Sequence, residues 1–117
     1  MPAMEVCNFE TENGRDVIAD FLDELSAREA AKCIAGIDWL RTGEIELHPK
    51  AREHLEGDIW ELKVRCAGEQ YRFLYTSYEG TVYLLVPIYK KQRKAPRKAI
   101  DLAKKRLGEV RKPGARP

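Results

Sequence analysis

A chain of 117 residues has room for one hydrophobic core but not two, and its 44% hydrophobic content is that of a water-soluble globular domain. No apolar run approaches the roughly 20 residues a membrane helix needs, and no basic segment followed by an apolar stretch opens the chain, so the reading excludes a membrane span and a signal peptide. The net charge of +2 hides a division: residues 1–62 carry 6 Lys/Arg against 15 Asp/Glu (−9), and residues 63–117 carry 15 against 4 (+11).

In chain order, Met4 to Phe9 reads as an edge strand and Thr11 to Arg15 as a turn around Gly14. Val17, Ile18, Phe21, Leu22 and Leu25 recur at helical spacing and predict a helix over about 16–25. Ser26-Ala-Arg-Glu29 is a capping box that opens a second helix to about Thr42, with Gly43 as its stop. Ala30, Cys33, Ile34, Ile37 and Leu40 form the predicted buried stripe of that helix. So short a link favours an antiparallel helical hairpin lying on an apolar sheet face. Glu44 to Asp58 reads as a polar connection, and Pro49 argues against a continuous helix there.

Three strands are predicted next. From Ile59 to Cys66, the residues Trp60, Leu62, Val64 and Cys66 alternate with Glu61, Lys63 and Arg65, so one face is apolar and the other charged. Tyr71, Phe73 and Tyr75 continue the apolar face and leave Arg72 with Leu74 on the opposite one. After a hairpin turn at Tyr78-Glu-Gly80, Val82 to Tyr89 is the most apolar run and reads as the central strand, with a bulge or unpaired position implied by Pro87. Pro96 begins a final helix to about Val110, striped by Ile100, Ala103 and Leu107. The predicted architecture is α+β, one domain over residues 1–111, with 112–117 as a disordered basic tail.

Cys7, Cys33 and Cys66 are odd in number, widely spaced and outside any metal or redox motif, which reads as buried thiols in a reducing cytoplasm. His48 and His54 lack companions at metal-ligand spacing, so neither a metal nor a cofactor is expected. Phosphate loops, nucleophile elbows and paired carboxylates are missing from the sequence. What stands out is cationic. If the strands pair as hairpins, Lys63, Arg65 and Arg72 share one open sheet face, with Lys90, Lys91, Arg93 and Lys94 at its rim. Cations so arranged attract phosphates, an Arg fork binds one through two hydrogen bonds, and Tyr89 beside the basic block is a candidate stacking platform for an unpaired base. The bland alternative is a set of solvated charges and core aromatics.

The string Trp60-Glu-Leu-Lys-Val-Arg65, then Tyr71-Arg-Phe-Leu-Tyr75, Leu84-Leu85, and Lys90-Lys91 with Pro96 beyond, resembles the phage Gp49-like branch of the HigB/RelE toxins. Phe21-Leu22 with Leu25, the helix ending at Leu40 and Gly43, and His54-Leu55 ahead of the strand agree with it, so the resemblance spans about residues 4–110. It implies a small, mainly antiparallel sheet carrying an N-terminal helical hairpin. It also implies the toxin of a type II toxin–antitoxin pair: a cytoplasmic, ribosome-dependent endoribonuclease that cuts mRNA. A cognate helix-turn-helix antitoxin would silence it in a toxin–antitoxin hetero-oligomer. By position, Lys63 and Arg65 match basic strand residues of the active face, Arg72 the arginine at the scissile phosphate, and Lys91 a basic residue after the last strand. The expected chemistry is attack of a 2′-OH on the adjacent phosphate, with Arg72 and Lys91 stabilising the developing charge and Lys63 handling the 2′-OH proton. Val86 stands where the family often has His, and Ile88 where Phe is usual. Two rivals remain open: a ParE-like inhibitor of DNA gyrase, and a non-catalytic basic module that binds RNA or a protein.

Overall fold

The computed structural model describes residues 4–89 and 95–112. In order it runs β1 (Glu5–Asn8), α1 (Val17–Asp23), α2 (Ala27–Thr42), two 3-10 turns (Glu44–Leu47 and Pro49–Ala51), β2 (Arg52–Glu56), β3 (Ile59–Cys66), β4 (Glu69–Tyr78), β5 (Thr81–Tyr89) and α3 (Arg97–Val110). The strands form one sheet in the order β1-β5-β4-β3-β2; β1 runs parallel to β5, and the other neighbours are antiparallel. This is the expected α+β arrangement, with two corrections. β4, rather than β5, is central, and residues 52–56, read as connection, form β2. The sequence Arg-Glu-His-Leu-Glu lacks an apolar face because β2 is an edge strand with polar residues toward solvent.

Local chemistry fixes the helix ends. The Asp16 carboxylate accepts the N–H groups of Ile18 (3.0 Å) and Ala19 (2.8 Å) and starts α1. The capping box of α2 is complete: Glu29 N–H donates to Ser26 Oγ at 3.1 Å, and Ser26 N–H donates to Glu29 Oε1 at 2.9 Å. Gly43 ends the helix in the left-handed region, φ 86°. The buried stripe of α2 is Cys33, Gly36 and Leu40 with Ile37 partly buried, whereas Ile34 is 51% exposed. The stripe follows i, i+3, i+4, i+7 from Cys33, and Ile34 lies a full residue step, about 100°, off its first member. At Gly36 the helix presses so close to β3 that an added Cβ would stand 2.8 Å from Val64 Cγ2.

Two apolar clusters sandwich the sheet. Leu62, Val64, Tyr71, Phe73, Tyr75, Val82 and Leu84 pack under α1 and α2. Ile59, Leu74, Val86 and Ile88 pack under Ala99, Ala103 and Leu107 of α3. Each large aliphatic side chain fully buried in this way contributes about 1.5–3 kcal/mol, so α3 is a second lid and not an appendage. The face expected to be open is therefore covered over its β4–β5 half. A bulge explains why alternation misled there. Leu74 pairs with Val86 and Tyr75 with Leu84, which leaves Leu85 as the extra residue. The inserted residue flips the parity of β5, so Val86 and Ile88 face α3 with Leu85. Arg106 of α3 donates to the Leu85 carbonyl at 2.8 Å and lies over the Phe9 ring at 4.8 Å.

The acidic half of the chain neutralises much of the basic half. Arg97 grips Glu56 with two nitrogens (2.7 and 2.9 Å), Lys104 meets the same carboxylate, and Arg111 pairs with Asp58. These contacts tie α3 to the β2–β3 hairpin. No helix among the described residues is long and apolar enough to cross a membrane.

Candidate nucleic-acid interface

The β3–β4 ladder brings the predicted cations together. Lys63 lies directly opposite Arg72, and Arg65 opposite Gln70, so all three cations stand on the sheet face turned away from α1 and α2. The turn that sets this register is Ala67-Gly68, with φ 53° and 82°, the double left-handed pair of a tight hairpin. To this extent the sequence reading and the structure agree.

The open, uncommitted surface expected of these cations is corrected. Arg72 is 3% exposed and Glu61, diagonally across the ladder, 1%. Arg72 Nη1 donates to Glu61 Oε2 at 3.0 Å, and Nη2 donates to Gln70 Oε1 at 2.8 Å. The Lys63 ammonium donates to Glu53 Oε1 on β2 at 2.7 Å. Arg65 is exposed. Both Lys63 and Arg72 thus hold carboxylates contributed by neighbouring strands. The physical reason is cross-strand complementarity: with β2 present and α3 overhead, a buried or half-buried cation stays charged only when paired. Among the described residues, three cations against Glu53 and Glu61 leave a net charge of 3 − 2 = +1 on this patch.

Lys90, Lys91, Arg93 and Lys94, expected at the rim, lie outside the described residues, as do 113–117 of the expected basic tail. Tyr89 is 56% exposed but belongs to the other face. It pairs with Tyr71, and its ring stands 6.2 Å edge-on from Phe21 and 5.5 Å from Tyr71. Val86 and Ile88 are buried under α3, so their apolar side chains serve the second core. Neither histidine joins a metal-like cluster among the described residues. His48 stacks on Trp39 at 3.8 Å, and His54 donates from Nε2 to the Gly57 carbonyl at 2.6 Å. Burial pushes the Cys33 thiol up to about 12 and raises Cys7 as well, which keeps both thiols protonated and inert.

Titration behaviour is most perturbed beneath α2. Tyr71 donates its hydroxyl to Glu29 Oε2 at 2.5 Å. That bond, with the Ser26 contacts, holds the Glu29 carboxyl below the usual range, while burial and then Glu29 itself raise the Tyr71 phenol.

A groove of about 740 Å³ adjoins the cationic patch, and sequence reasoning missed it. It is lined by Lys32, Gly36 and Trp39 of α2, Lys50 in the second 3-10 turn, and Lys63 and Arg65 of β3. Gln70, the residue that accepts from Arg72, lines it too. The signal was present as a second stripe on α2, Lys32-Ala35-Gly36-Trp39 at i, i+3, i+4, i+7, which invited reading as core.

The chain belongs to the phage-derived Gp49-like protein family, which it matches over residues 20–108. The match takes in both helices of the hairpin, β2 through β5 and most of α3. No curated protein matches the chain.

Proposed function

We propose that this protein is the toxin of a type II toxin–antitoxin pair of the HigB/RelE kind. On this reading it is a cytoplasmic endoribonuclease that cuts mRNA on the ribosome, held silent by a cognate helix-turn-helix antitoxin. Membership of the phage-derived Gp49-like family supports a toxin-like module. The observation that carries the RNA assignment is the register that sets Lys63 opposite Arg72 with Arg65 on the same face. In this mechanism the 2′-oxygen bonds to the adjacent phosphorus as the bond to the 5′-oxygen breaks, leaving a 2′,3′-cyclic phosphate and a 5′-hydroxyl. The 2′-OH loses its proton and the leaving oxygen gains one. Arg65 and the Lys63 ammonium meet the non-bridging oxygens, and Arg72 supports them from beneath, oriented by Glu61 and Gln70. With only +1 net on the patch, a phosphate must compete with two carboxylates. Free RNA is then cut slowly, and the ribosome supplies the in-line alignment.

The commitment of Arg72 to Glu61 favours a second reading, a module that binds RNA without cutting it. Induction of the chain in cells, with mapping of transcript 5′ ends and of gyrase-linked DNA breaks, separates these outcomes. Growth arrest with ends at ribosome-occupied codons, abolished by Lys63→Ala with Arg65→Ala and reversed by the antitoxin, is the expected result. RNA binding without new ends supports the second reading. Gyrase-linked breaks overturn both.

A further inference from the structure

We infer that the groove between α2 and β3 binds single-stranded RNA and leads it to the cationic patch, an inference that rests on the RNA reading above. Three observations converge on it. First, the lining includes Lys32, Lys50, Lys63 and Arg65 and no Asp or Glu, although acidic residues make up 15 of the first 62. Lys63 is held by Glu53 at 2.7 Å, just outside the lining, and a cleft whose other cations are Lys32, Lys50 and Arg65 selects a polyanion.

Second, one wall is an open strand edge. β2 pairs with β3 only as far as Arg52–Leu62, so the outward backbone groups from Lys63 to Cys66 have no strand partner among the described residues. Four strand residues present two outward-facing sets of N–H and C=O, because alternate residues point their backbone groups the same way. These can hydrogen-bond the edges of one or two unstacked bases, the form in which RNA sequence is accessible to proteins.

Third, the groove is continuous with Arg72 through Gln70, which lines the one and accepts from the other. A strand lying in the groove would set phosphates against Lys32 and Lys50 and deliver the next one to Lys63 and Arg65. The close approach of Gly36 keeps the helix wall low, and Trp39 stacks on His48 at 3.8 Å within the lining. An acidic extended peptide adding to the β3 edge is the competing occupant. Continuity with the phosphate-facing patch favours RNA.

The test is a salt titration of a fluorescein-labelled single-stranded RNA decamer of mixed sequence, read by anisotropy. It compares the wild-type protein with Lys32→Gln plus Lys50→Gln, two exposed positions whose replacement urea melts would show to be harmless. Losing two phosphate contacts should lower the slope of log K against log salt by about 1.4 and weaken binding severalfold at low salt. Amide resonances of Lys63 and Arg65, the two residues whose backbone groups face away from β4, should shift with the decamer. Unchanged affinity and slope in the variant, or decamer binding that leaves those amides still, overturns the inference. So do amides that answer to a decapeptide of alternating Glu and Val but not to RNA. Cleavage mapping is independent: binding here without new transcript ends keeps the groove and removes the nuclease, and cutting undiminished in a variant that binds normally does the reverse.

Discussion

Removing the Arg72 side chain should be far more damaging to the fold than a change at a surface cation. Glu61 is 1% exposed and has Arg72 as its ion-pair partner at 3.0 Å. Arg72→Ala strands a carboxylate inside the protein, a change that costs about 3–5 kcal/mol. A domain of this size holds about 5–15 kcal/mol in all, and at about 4 °C per kcal/mol the melting temperature falls by about 12–20 °C. The paired change Glu61→Leu with Arg72→Met removes both charges and keeps the volume, so its stability should lie within about 1 kcal/mol of wild type or above it. Urea unfolding followed by tryptophan fluorescence measures all three, since Trp60 sits on the same strand as Glu61. The cycle also repairs the functional experiment. Lost toxicity in Arg72→Ala alone is ambiguous between chemistry and folding, whereas lost toxicity in the folded double variant assigns Arg72 to the chemistry. An Arg72→Ala cost below 1 kcal/mol, or a double variant as unstable as the single, would refute this account of the pair.

Gly36→Ala gains helix propensity of about 1 kcal/mol but drives a methyl to within 2.8 Å of Val64 Cγ2. Overpacking of about 1–3 kcal/mol makes the net change a loss, which Val64→Ala in the same chain should partly relieve; a stabilised Gly36→Ala would show that α2 shifts freely. Ala67 stands at φ 53° before Gly68, a conformation that Asn tolerates better, so Ala67→Asn should raise stability by a few tenths to about 1 kcal/mol in urea melts. The Glu29–Tyr71 bond makes stability depend on pH at both ends. The Glu29 carboxyl is lowered from 4.5, so its contribution is whole above that pH and is lost as the pH falls through the lower folded value. The Tyr71 phenol is raised from 10, so its contribution is whole below pH 10 and is lost as the pH climbs toward the higher folded value. Tyr71→Phe should flatten the acid limb and reduce the alkaline one, as read from melting temperature between pH 3 and 11; unchanged limbs would place the bond's energetic weight elsewhere.

The legible parts of this fold were those written in local chemistry. Ser26 with Glu29, Gly43, and the alternation from Trp60 to Cys66 are short-range signals, and each appears where it was expected. Burial of Arg72 was not legible, because it depends on the diagonal placement of Glu61 and on α3 lying above, both set by tertiary packing. The bulge at Leu85 hid the second core, since one inserted residue reverses the faces on which any strand reading of β5 depends. The division of charge along the chain suggested a wide basic surface. Much of it is internal pairing, as Arg97 with Glu56 and Lys63 with Glu53 show. The cationic groove escaped notice because Lys32 and Lys50 are far apart in sequence, and no periodicity links a helix to a 3-10 turn.

The parallel seam between β1 and β5 joins segments far apart in the chain, with Glu5 beside Thr81 and Asn8 beside Leu84. Among the described strands β5 is the one partner of β1, so the outermost ribbon of the sheet has no ladder until about seventy-six residues of intervening chain have been made and ordered. Closing so large a loop is an entropic burden that local hairpins do not share. A polypeptide stopped anywhere before Thr81 therefore carries an N-terminal segment held only by contacts at its margins, such as the Met4 N–H on the Arg41 carbonyl at 2.7 Å, and pairing with β5 is what brings it into the sheet.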